Sequence, residues 1–230
     1  MKLIILFLFS FCLFFSGCTK KSDEKSVKAP SDEVKVSNEP LQKTKEITLL
    51  SFKKTDLPSE CKYEGDIVEQ AQWTDANGDN ILIITETPVK KLKEDIREQY
   101  IYAYTYTKKD ADYKLLWSIN DHVDSPCDVG AEYQPKTLEV LDIDKDGVAE
   151  TAFIYKLEGR CDVSPLDMKL MMHSGDKKLV IRGNTKVYPG GGESYGGKKS
   201  IDAAFDSSPV IFKDFASRKW DDFMKDYKGP

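Results

Sequence analysis

Asp142, Asp144, Asp146 and Glu150 put four carboxylates into nine residues, with Gly147 among them. Carboxylates this close repel one another unless the loop is fully solvated or a hard cation sits among their oxygens. Oxygen ligands alone, with no His or Cys in the set, suit calcium, and its loose geometry tolerates a loop better than the strict octahedron of magnesium. Gly147 gives the backbone freedom that a tight coordinating turn needs. The chemistry expected of such a site is structural: one calcium would neutralise the carboxylates and hold the strands on either side. A solvated acidic turn with no ion is the competing reading. An EF-hand is excluded, because its twelfth position is Phe153 and the flanks read as strands.

The elements that must position these carboxylates read as strands, over 138–143 and 151–157. Further β signals fall at 47–52, 67–73, 81–87, 100–107, 113–119, 168–173, 178–182 and 201–205. They form a repeat. Asp75, Asn77, Gly78, Asp79 and Asn80, followed by a strand, answer the run from Asp142 to Glu150, and each acidic turn leads into a three-stranded meander. In the first copy Asn80 stands where the second has an acid-flanked Gly and Ile83 where it has Glu150, so that copy reads as a turn. The fold class expected is mainly β: antiparallel sheets from two blade-like four-stranded units, plus a C-terminal amphipathic helix. Two units are too few for a propeller, so two small twisted sheets packed together fit better. The helix spans about 208–227, with Ser208 as its cap, Pro209 in its first turn, and Ile211, Phe212, Phe215, Ala216, Trp220, Phe223, Met224 and Tyr227 at helical spacing to pack on a sheet.

Signals for catalysis are poor. The chain lacks H-E-x-x-H, and any triad would have to use His122 or His173. The run Gly192 to Lys199 nearly spells a phosphate-binding loop, but Lys199 stands where Ser or Thr should hold magnesium. The segment 189–197 reads instead as a mobile glycine-rich surface loop. Tyr100, Tyr102, Tyr104 and Tyr106 alternate along one strand face, as a glycan platform would, but a half-buried sheet face is the commoner explanation and the one expected here. A carboxylate pair could serve a polysaccharide-processing enzyme, but its separation is not a property of sequence. A formal charge of −5, and −6 once residues 1–17 with Lys2 are removed, favours cations over nucleic acid.

The N-terminal stretch has Lys2, an apolar run broken only by Ser10, and then Ser16, Gly17 and Cys18. The run is too short to span a bilayer and reads as a secretory signal over 1–17. Residues 18–46 are rich in Lys, Ser, Asp, Glu and Pro without apolar periodicity and read as a disordered tether. Residues 47–230 fit one domain. Three cysteines remain beyond Cys12 and Cys18. Cys127-Asp-Val and Cys161-Asp-Val each follow a strand in their own unit, which favours a Cys127–Cys161 disulfide, as export permits, and leaves Cys61 free or buried.

Three resemblances add to this reading. Phe15-Ser16-Gly17-Cys18 resembles a bacterial lipobox, which implies diacylation of Cys18, palmitate included, and tethering to a membrane. Thr19 is not the Asp that retains many lipoproteins in the inner membrane, and Lys21-Ser-Asp23-Glu24 is similar to export signals of Bacteroidetes surface lipoproteins, which implies an outer-membrane, cell-surface address. Asp142, Asp144, Asp146, Gly147 and Glu150 resemble the calcium loops of FG-GAP and VCBS repeats position by position. Trp73-Thr-Asp75, Leu116-Trp117, the acidic loop, Cys161-Asp-Val-Ser-Pro165 and Arg182-Gly183, in that order, look like a family of Bacteroidetes lipoproteins labelled with surface polysaccharide biosynthesis. That resemblance implies an envelope role, binding or scaffolding a glycan or an envelope protein, and assigns no catalytic residue.

Overall fold

A computed structural model describes residues 47–50, 57–190 and 192–226. The signal peptide over 1–17, the tether over 18–46 and the lipidation site Cys18 lie outside the described residues, as do residues 51 and 52 of the first expected strand and Tyr227 of the expected helix. The protein is mainly β, with antiparallel sheets, one C-terminal helix and no closed barrel.

The first sheet is a meander of β1 (Thr48–Leu50), β2 (Asp66–Asp75), β3 (Gly78–Glu86), β5 (Arg97–Lys109) and β6 (Asp112–Ser125), with the short β4 (Lys90–Lys91) on the start of β5. The second orders β14 (Lys199–Ile201), β11 (Lys177–Asn184), β10 (Asp167–Ser174) and β9 (Glu150–Glu158), whose far edge is shared by β7 (Gly130–Tyr133) and β8 (Glu139–Leu141). The repeat is therefore β2-β3-β5-β6 against β8-β9-β10-β11, each a four-stranded antiparallel unit.

The strand expected over 138–143 is shorter than its β signal, and β7, which the sequence reading missed, takes the rest of the edge of β9. Between them the chain kinks, with Lys136 at φ 66°. Thr137 replaces the missing ladder: its hydroxyl accepts the Ile154 N–H at 3.0 Å, while Gln134 N–H donates to the Ile154 carbonyl at 2.9 Å. Backbone groups buried away from water must find such partners.

Period-two alternation sends one face of each sheet inward. Trp73, Leu82, Ile84, Ile101, Ala103, Trp117 and Ile119 from the first sheet meet Phe153, Tyr155, Met171 and Val180 from the second in a shared core. The other face of the second sheet, with Ile154, Leu170, Met172 and Ile181, is covered by Phe212, Ala216 and Trp220 of α1 (Val210–Asp226). A side chain at Gly183 would bring its Cβ within 2.9 Å of the Trp220 ring and clash with the Lys198 carbonyl, so glycine here lets the helix lie close.

Three local expectations are corrected. The strand expected over 201–205 ends at Ile201, because the Asp202 carboxylate accepts the Ala204 N–H at 3.0 Å and starts a 3-10 helix over Ala203–Ser207. Ser208 closes that turn, donating its hydroxyl to the Ala204 carbonyl at 2.9 Å, where the sequence suggested a cap for α1. The stretch read as a mobile loop is a hairpin of β12 (Lys186–Gly190) and β13 (Glu193–Gly196). Buried Val187 and a hydrogen bond from the Tyr195 hydroxyl to the Val163 carbonyl tie it down. A strand, not a helix, follows it, so the phosphate-loop reading lacks its context.

Candidate metal loop and its supports

The acidic loop joins β8 to β9, and the structure brings Asp142, Asp144 and Asp146 together with one carboxylate oxygen of each within 4.8 Å of the others. The backbone makes this turn through Lys145 at φ 67° and Gly147 at φ 88°. Two carboxylates shape the loop: Asp142 accepts the Gly147 N–H at 3.1 Å and Asp146 accepts the Val148 N–H at 2.7 Å. The remaining oxygens matter more. Asp142 Oδ1 and Asp144 Oδ1 are shielded from solvent and take no hydrogen bond. Burial and the charge of Asp146 raise the Asp144 carboxyl above its usual range. An oxygen-lined set of like charges of this kind is what a hard cation would relieve.

Glu150, the fourth ligand expected from sequence, lies outside this group of three. It points under the loop, where its two oxygens accept the Ile143 N–H at 2.9 Å and the Ser174 hydroxyl at 3.0 Å. Burial pushes its carboxyl up to about 7. Its position at the first residue of β9 makes it a brace across the mouth of the loop.

The first acidic turn supplies a second brace. Asp75 and Gly78 pair across a two-residue turn. The buried Asp75 accepts the Trp73 indole N–H at 2.9 Å, the Asn77 N–H at 2.8 Å and, from the end of the acidic loop, the Ala149 N–H at 3.1 Å. Beside it the Ala76 N–H donates to the Gly147 carbonyl at 2.8 Å. The first turn thus grips the second. No spacing rule shows this, because the partner lies seventy-four residues away.

Other sequence candidates fall elsewhere. Cys127 and Cys161 are joined as a disulfide, with Cα atoms 5.1 Å apart. Cys61 lies buried with Ile81, Ile83 and Tyr106, and burial followed by the charge of Glu60 raises its thiol to about 11, so it is a poor nucleophile. His122 stacks on Tyr100, which stacks on Tyr102, which stacks on Tyr104, at centroid spacings of 5.0, 5.8 and 6.0 Å. Rings stacked along a strand spend their faces on one another, and a sugar would meet only edges. The stripe is therefore sheet packing.

Sequence reasoning missed one carboxylate group. Glu69, Glu86 and Glu132 line an open cleft of about 390 Å³ with Tyr133, Gln134 and Lys156. Glu86 accepts the Tyr133 N–H at 2.6 Å, and Tyr133 donates its hydroxyl to Glu69 at 3.2 Å. Burial raises the Glu86 carboxyl, the Tyr133 N–H opposes this, and Glu132 raises it further. Glu69 shares the inward parity of Ala71 and Trp73, while the register shift between Ile67 and Glu69 sends Ile67 to the opposite face, beside Ile81 and Ile83. No family model, curated protein or solved structure matches the chain.

Proposed function

We propose that this is a lipid-anchored envelope protein, tethered through Cys18 at the outer membrane and facing the cell surface. Its β domain carries one structural calcium and has a non-catalytic role, binding or scaffolding a surface glycan or an envelope protein. The observation that carries the calcium is the convergence of Asp142, Asp144 and Asp146, two of whose oxygens lack a donor. Glu150 and Asp75 hold the loop in place from either side, so the cation would complete a frame already braced by the protein. The buried Cys61, a poor nucleophile, supports a non-catalytic role. Calorimetry with calcium on wild type and Asp144→Ala tests the site: heat of binding is expected for wild type alone, and none for wild type overturns it. Detergent partitioning of wild type against Cys18→Ala tests the anchor, which equal partitioning would exclude.

The cleft of Glu69, Glu86 and Glu132 favours a second reading, a polysaccharide-processing enzyme with Glu86 as the proton donor and Glu132 as its partner carboxylate. Release of reducing sugar from envelope polysaccharide by wild type, lost in Glu86→Gln, would establish it. Equal release by both proteins would exclude it.

A further inference from the structure

We propose that the seam between the two sheets holds one internal water molecule, bound by Thr105, Thr151 and His173. Each residue is almost fully buried, at 1%, 3% and 3% exposure. Thr105 Oγ1, Thr151 Oγ1 and His173 Nδ1 have no hydrogen-bond partner in the protein. Parity along the strands sends all three side chains to the same place. Thr105 alternates with Ile101 and Ala103, Thr151 with Phe153 and Tyr155, and His173 with Met171, so each faces the core shared by the sheets.

Register brings them together. Thr151 and His173 lie opposite one another on β9 and β10, and Thr105 lies opposite Trp117 on β5 and β6. Trp117 stacks on His173 across the seam at 3.8 Å between centroids, 8° from parallel, which fixes the imidazole plane. The three residues line one cavity of about 20 Å³, whose wall also includes Trp73, Asp75, Asn80, Trp117 and Ala149. A single water needs about 10–15 Å³ and two to four polar partners, and this cavity offers both. Apolar cavities of similar size stay dry, whereas this one presents polar side chains from both sheets, three of them with an atom that has no partner. Water suits them in any tautomer of the imidazole, because it and both hydroxyls can each donate or accept. The water links Thr105 of the first sheet to Thr151 and His173 of the second, directly beneath Ala149 of the acidic loop.

A crystal structure of the full chain, at a resolution that shows ordered water, is expected to contain one density peak within hydrogen-bond reach of all three atoms. A dry cavity, or both hydroxyls turned to strand carbonyls, overturns the proposal. Thr105→Val and Thr151→Val give an independent measure through unfolding equilibria in urea. If the water is held, each substitution raises the unfolding constant roughly two- to tenfold, and the double variant raises it by less than the product of the two factors, because a single water is lost once. If the cavity is dry, each Val removes an unsatisfied buried hydroxyl and lowers the constant, and that result overturns the proposal.

Discussion

The turn at Asp75 and the loop from Asp142 to Glu150 occupy the same place in the two four-stranded units, yet they spend their carboxylates in opposite ways. Asp75 is buried and receives three N–H donors from the protein. Asp142 and Asp144 each keep an oxygen that receives none. The difference comes from length: a two-residue turn brings its acid down onto Trp73 and the neighbouring loop, while the eight residues between Leu141 and Glu150 leave room for carboxylates that face one another. A repeated acidic turn can thus serve as a clamp in one copy and as an open oxygen cage in the other, and the clamp holds the cage.

The strongest way to break this comparison is Asp75→Ala. Losing the shared acceptor strands the Trp73 indole and the Ala149 N–H in the core, with an expected cost of roughly 3–5 kcal/mol. Denaturant unfolding measures it, and a cost below about 1 kcal/mol would mean that the first turn is as open as the second. Next in size is a pH effect in the seam beneath the turns. Burial, aided by Lys178, holds His173 down at about 3, against 6.5 when unfolded. A depressed histidine gives stability that is present above pH 6.5 and is lost as pH falls from there toward 3. Between pH 7.5 and 5 wild type is expected to lose about 2 kcal/mol relative to His173→Gln, a difference in which the opposite contribution of Glu150, whose raised carboxyl gains stability over the same range, cancels.

Calcium should separate the two turns directly. With an extracellular-type Kd of about 0.1–1 mM, a tenfold excess stabilises by about 1.4 kcal/mol. Thermal melts of wild type should show that gain and melts of Asp144→Ala should not. The smallest effect belongs to the rim of the first turn. Asp79 accepts the Thr74 hydroxyl at 2.8 Å and lies 4.0 Å from Lys108, both near solvent. Asp79→Ala should cost about 0.5 kcal/mol and leave the calcium response intact, as a melt with and without the ion would show.

Much of the frame was legible in the sequence because it is written in short-range pattern. Continuous apolar runs at 81–84, 152–155 and 170–172 mark strands buried on both faces, and the spacing from Phe212 to Trp220 marks a helix face. The repeat was visible for the same reason. What escaped depends on partners far along the chain. Thr137 could not be read as the stand-in for a strand, nor Glu150 as a brace facing Ser174, nor Asp75 as the acceptor for Ala149. The cleft at Glu86 draws on β2, β3 and β7, and β7 itself, four residues long, gave no signal of its own. The hairpin over 186–196 was hidden by its glycines. Gly196, at φ 83°, sits where a side chain would strike Pro165 and the Thr185 carbonyl, so its composition reports close packing, not looseness.

The bridge between Cys127 and Cys161 encloses β7, β8, the acidic loop and β9 in one covalent ring. Lys145, exposed and in left-handed backbone at the tip of that loop, is an open target for a trypsin-like protease. A cut there would release nothing. The two fragments would stay linked until reduced, so in an environment of secreted proteases the ring makes the exposed loop a place where the chain can be severed without being lost.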